Sequence, residues 1–150
     1  MSLEQEFEMI RRVPIFSTTD PSMQKLLAFS SDRLTYEEGQ LMFSAGDPSG
    51  SAYIVMEGEV DITVPTPKGP LLVNTMTRND VIGEIGIFGD VPRTATAVAR
   101  TRVEALRISR EVFVNVIRSN PDAAIALVKM LADRLIKTTA QLRRMAGETR

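Results

Sequence analysis

Ser51-Ala52-Tyr53-Ile54-Val55-Met56 and Val60-Asp61-Ile62-Thr63-Val64 are two short runs rich in β-branched and aromatic residues, separated by Glu57-Gly58-Glu59. Their composition favours strands and the central glycine favours a tight reversal, so the stretch reads as a β-hairpin. A second pair, Thr94 to Ala99 and Val103 to Ile108, flanks Arg100-Thr101-Arg102 in the same way. Between residues 31 and 108 such runs are punctuated by Gly39, Gly46, Gly50, Gly58, Gly69, Gly83 and Gly89. Many short strands with frequent turns point to an all-β roll or sandwich rather than a parallel sheet.

Helical periodicity holds on both sides of this region. Leu3, Phe7 and Ile10 recur at helical spacing up to a break at Val13-Pro14, and Asp20-Pro21 then supplies an N-cap with proline in the first turn. Downstream, Ser109 is placed to cap a helix whose face carries Val112, Phe113, Val116 and Ile117, and Asn120-Pro121 separates it from a long helix reaching about Met145. The stripe Ala124, Val128, Leu131, Leu135, Thr138, Leu142 and Met145 on that helix fits a packing face on the β unit or the seam of a homodimer. The interruption at Thr138 favours the first. The expected architecture is mainly β with flanking helices, a β-roll or jelly roll forming one domain over 1–150: helices in 1–30, the roll in 31–108, and two C-terminal helices in 109–145.

Composition narrows the chemistry. The 150 residues carry 18 Lys+Arg against 19 Asp+Glu, with no histidine and no cysteine. A near-neutral chain lacks the charge that phosphate-backbone binding requires, so a general nucleic-acid role is not expected. Without cysteine and histidine there is no thiolate nucleophile, no sulfur-rich zinc site and no imidazole base, and no catalytic residue or metal site is assigned. No run reaches the ~20 apolar residues of a membrane span, and the acidic start Met1 to Glu6 has no signal-peptide core, so a cytoplasmic location is expected.

The stretch richest in chemistry is Gly83-Glu84-Ile85-Gly86-Ile87-Phe88, followed by Pro92-Arg93-Thr94-Ala95. The first segment is long enough for one helical turn, whose free N–H groups favour an anion, and Arg93 offers a guanidinium fork to the same anion. Glu84 beside a phosphate site makes sense when the ligand also presents hydroxyl donors, a combination that points to a nucleotide. The plainer alternative, a surface ion pair between Glu84 and Arg93, would contribute only ~0 to 1 kcal/mol and leaves the glycines unexplained.

This segment resembles the phosphate-binding cassette of cyclic nucleotide-binding domains, the family of kinase regulatory subunits, cyclic-nucleotide-gated channels and the catabolite activator protein. The similarity extends to Tyr36-Glu37-Glu38-Gly39-Gln40-Leu41-Met42-Phe43, Ala45-Gly46-Asp47, Tyr53 to Val60 and Ile108 to Phe113, covering residues 10 to 140; Ile82 stands where the family often has phenylalanine. The resemblance implies that Glu84 and the Gly83 backbone take the ribose 2′-hydroxyl, that the Ile85 and Gly86 amides meet the cyclic phosphate, and that Arg93 pairs with its charge. It gives Thr94 a part in choosing between cAMP and cGMP that does not by itself settle the choice; the reading leans to cAMP with cGMP kept open. Arg134 reads from the sequence as a solvated helix residue, and the resemblance offers it as a lid residue over the base. Among the apolar residues Met56, Leu71, Val73 and Ile85, otherwise core, it implies that a few touch the purine.

The implied protein is a cyclic nucleotide receptor, not an enzyme, which needs no cofactor and signals to an effector protein by rearranging its C-terminal helices. Three further readings stand beside it. A transcription factor would need a helix-turn-helix beyond the long helix, where only Ala146 to Arg150 follow. A cupin-like enzyme would need histidines. A structural or interaction module would leave the cassette vacant, with Glu84 and Arg93 paired across it.

Overall fold

A computed structural model describes residues 2–148, so Met1 and the last two residues of the 146–150 tail lie outside the described residues. Helices α1 (Leu3–Arg12) and α2 (Pro21–Ser30) precede strands β1 (Asp32–Tyr36), β2 (Leu41–Phe43), β3 (Ser51–Glu57), β4 (Val60–Thr66), β5 (Gly69–Met76) and β6 (Val81–Ile82). Then follow α3 (Glu84–Gly89), β7 (Thr96–Ala99), β8 (Val103–Ser109), α4 (Arg110–Ser119) and α5 (Pro121–Glu148). The strands form two antiparallel four-stranded sheets, ordered β1-β8-β3-β6 and β2-β7-β4-β5. The fold is the expected mainly β jelly roll with helices at both ends.

The caps follow local chemistry. Asp20 accepts from the Ser22 amide with Pro21 in the first turn of α2, and Ser109 accepts from the Val112 amide at the start of α4.

Strand β3 explains how the layers are joined. Its side chains alternate, and both sets are buried: Ala52, Ile54 and Met56 enter a core with the helices, while Tyr53 and Val55 enter the core between the sheets. Strand β8 divides likewise, with Leu106 and Ile108 toward the helices and Val103 and Ala105 toward the opposite sheet. A strand covered on both faces reads as an unbroken apolar run, as residues 52–56 do.

The two expected hairpins are not hairpins. β3 pairs with β6 and β8, whereas β4 pairs with β5 and β7, so Glu57-Gly58-Glu59 carries the chain from one sheet to the other. Arg100-Thr101-Arg102 makes the return crossing from β7 to β8, and strand β7 begins at Thr96 rather than Thr94. The crossings brace each other: the Arg100 amide donates to the Glu59 carbonyl at 2.9 Å, and the Glu59 amide donates to Thr101 Oγ1 at 3.1 Å. Gly58 sits at φ +94°, where a Cβ would collide with the Arg102 carbonyl. Both edges of β3 are already occupied, which excludes β4 as its neighbour. The hairpin that does form is β4–β5, with Thr66 opposite Gly69.

The long helix also departs from expectation. Ala123 and Leu127 are its buried residues, with Ala124, Met130 and Leu131 partly covered. Of the expected stripe, Ala124 and Leu131 pack against the helix-side core, whereas Val128, Leu135 and Leu142 are 64%, 67% and 60% exposed, so the stripe as a whole is not a packing face. Only its first turns dock; residues 135–147 are all exposed. Among the described residues no helix is long and apolar enough to cross a membrane.

Candidate functional site

Gly83, Glu84, Ile85, Gly86, Arg93, Thr94 and Arg134, the seven residues singled out in the sequence, all line one cavity. Its walls come from both sheets, α3 and α5. Among the described residues, Glu84 and Arg93 are the two charged groups that are buried, at 1% and 6% exposure. Charges are rarely buried without a task or a partner, because leaving water is costly.

Glu84 opens α3 and Gly83 precedes it at φ +92°, a left-handed conformation natural to glycine. A Cβ on Gly83 would run into the Arg93 guanidinium, and one on Gly86 would run into Ser49. The missing side chains thus admit protein neighbours. Ser49 Oγ in turn donates to the Val91 carbonyl at 2.9 Å, and the Arg93 amide donates to the Asp47 carbonyl at 2.8 Å. The segment before β3 therefore fixes the backbone that carries Arg93.

The two buried charges do not pair with each other. Glu84 Oε1 accepts from Arg134 Nη1 of α5, whose Nη2 donates to the Val81 carbonyl at 2.7 Å. Arg93 Nη1 donates to the Gly83 carbonyl at 3.2 Å and Nη2 to Ser51 Oγ at 3.4 Å. The closure expected between Glu84 and Arg93 is thus made by Arg134 instead, because Arg93 is turned onto the Gly83 carbonyl. Each buried group keeps one orphan atom: Glu84 Oε2, an acceptor, and Arg93 Nε, a donor, have no hydrogen-bond partner among the described residues.

Burial pushes the Glu84 carboxyl above its ordinary value, opposed by the charge and hydrogen bond of Arg134 and by Arg93. Burial lowers Arg93 from its ordinary value, opposed by Tyr53, Asp47 and Glu84.

Thr94 is exposed at the mouth of the cavity, and Ile85 is 47% exposed. Of the other apolar candidates, Met56 is in the helix-side core, Val73 packs on the inter-sheet core and Leu71 is exposed; none of these three lines the cavity. Phe43, Ile62, Met76, Ile82 and Ala95 do. Alternation along β4 marks Ile62 as inward-facing, but nothing in the sequence says which cavity it reaches.

The model of the cyclic nucleotide-binding domain matches residues 33–120, and the chain belongs to that family. It is 31% identical over 136 residues to a CRP-like cAMP-activated global transcriptional regulator of Mycobacterium tuberculosis, covering 90% of this chain and 61% of that protein. With the cAMP-dependent protein kinase regulatory subunit of Aspergillus niger it shares 31% identity over 104 residues, 69% of this chain and 25% of the other. The chain thus spans about three fifths of the first relative and a quarter of the second. The sensor domain of the transcriptional regulator DNR from Pseudomonas aeruginosa superposes with a TM-score of 0.79 at 25% identity, covering 89% of this chain and 90% of that one. These relatives are regulators and sensors.

Proposed function

We propose that this domain is a receptor for a cyclic nucleotide, with cAMP as first ligand and cGMP as the alternative. One observation carries it: the two buried charges among the described residues face the same cavity, and each retains an unpartnered polar atom. An orphaned carboxylate oxygen suits a ribose hydroxyl and an unneutralised guanidinium suits the cyclic phosphate, with the Ile85 and Gly86 amides on the same phosphate. Thr94, at the mouth, is placed to help select the base.

Signalling follows from Arg134. The hydroxyl that engages Glu84 acts on the group that ties α5 to the cassette, so occupancy biases where α5 lies, provided the ligand binds the two positions of α5 unequally. The exposed face with Val128, Leu135 and Leu142 is then the surface whose presentation changes, toward a second copy or an effector protein. Light scattering with and without nucleotide tests the homodimer.

The contact of Arg134 with Glu84 favours a second reading, an interaction module whose ribose acceptor is closed off. Thermal shift separates the two: nucleotide at a hundredfold above Kd stabilises a receptor by ~2.7 kcal/mol, whereas a closed module shows no shift with either nucleotide.

A further inference from the structure

Arg93 is a buried cation with no carboxylate at ion-pair distance among the described residues; besides its bonds to the Gly83 carbonyl and Ser51 Oγ, it lies against two aromatic rings. Its guanidinium carbon lies 4.3 Å from the centroid of the Phe43 ring and 5.8 Å from that of Tyr53. The two rings stack on each other at 5.8 Å with 28° between their planes. The local backbone aims Phe43 at this task. Residues two apart in a strand share a face, yet Leu41 is 50% exposed and Phe43 only 8%. The β2–β7 register shifts between them, an irregularity of the kind that re-aims a side chain beside a site.

We propose that Phe43 is the positioning residue for Arg93, holding the guanidinium against its π face in the place a carboxylate would otherwise take and leaving the full charge for an anionic ligand. A carboxylate would fix the fork equally well but would compete with a phosphate for the same donors. The ring quadrupole attracts the cation without satisfying its N–H groups, and the attraction grows where water is excluded. This rests on the receptor reading above.

The test uses F43L, which keeps an apolar side chain without the ring, and F43Y, which restores the ring. Two signals are read: affinity for cAMP and cGMP by calorimetry, and the ring-current displacement of the Arg93 Nε–H resonance in nucleotide-free protein. F43L is expected to lose the displacement and bind about five- to thirtyfold more weakly, and F43Y to recover both. Unchanged affinity in a folded F43L, equal loss in F43Y, or no displacement in the parent protein would overturn the assignment. A parent protein that binds neither nucleotide yet shows the displacement would instead overturn the receptor reading, and with it the anion role given to this pair.

Discussion

Arg134, in the middle of α5, reaches the buried carboxylate of Glu84 at the start of α3, fifty positions earlier in the chain, and anchors itself on the Val81 carbonyl. This contact makes the long helix part of the site. It also supplies the counter-charge that a carboxylate at 1% exposure requires. Replacing Arg134 with methionine should destabilise the domain by ~3 kcal/mol, the low end for breaking a buried pair, since Arg134 itself keeps 20% of its side chain exposed. R134M/E84Q should regain most of that loss, as urea unfolding would show; an R134M domain as stable as the parent would mean that Glu84 does not depend on α5.

The raised pKa of Glu84 has a definite sign in stability. The folded state takes up a proton at higher pH than the unfolded chain, so the burial penalty is fully present above the folded value. It is relieved as pH falls toward the ordinary carboxylate value and is gone below it. Relative to E84Q, the parent should therefore gain stability on acidification from pH 7 toward pH 4.5, while its affinity for nucleotide falls as the carboxylate is neutralised. Parallel unfolding free energies for parent and E84Q across that range would contradict the assignment.

Arg93 presents a fork, and a point charge should not replace it. R93A is expected to abolish measurable nucleotide binding while the domain stays folded, because charge-assisted bonds worth ~1.5 to 3 kcal/mol each are lost. R93K should also bind at least about tenfold more weakly. Calorimetry beside circular dichroism separates lost binding from lost folding, and an R93K protein of parental affinity would show that charge alone is enough.

Gly86 and Ser49 fill one space. G86A forces a methyl group against Ser49, with the Val91 carbonyl 3.1 Å behind it, and should cost ~1 to 3 kcal/mol of stability. S49G vacates that space, so G86A/S49G should be more stable than G86A; a double variant no better than the single would place the crowding elsewhere.

The elements were legible where their signals are local. Asp20-Pro21, Ser109 and Asn120-Pro121 mark helix ends through bonds spanning two or three residues, and the cassette is contiguous enough for its chemistry to be read in place. The sheet partners were not legible. A two-residue connection with a left-handed glycine serves a hairpin and a corner between sheets equally, and Gly58 makes the corner because β3 has no free edge. Periodicity grouped Val128, Leu135 and Leu142 on one face without saying what covers it. Phe43, Ser49 and Ser51 were missed as site residues because they meet Arg93 or Gly86 only through the topology, about forty to fifty positions away. Arg134 was singled out through family resemblance, and its partner Glu84 emerged only from the structure.

The receptor reading requires the cavity between Glu84 and Arg93 to take a cyclic nucleotide. Isothermal titration of the domain with cAMP, and separately with cGMP, tests it most directly. The expected result is saturable binding of at least one of them at one site per chain, lost in R93A. Absence of binding with both nucleotides, by a protein shown to be folded, would contradict it.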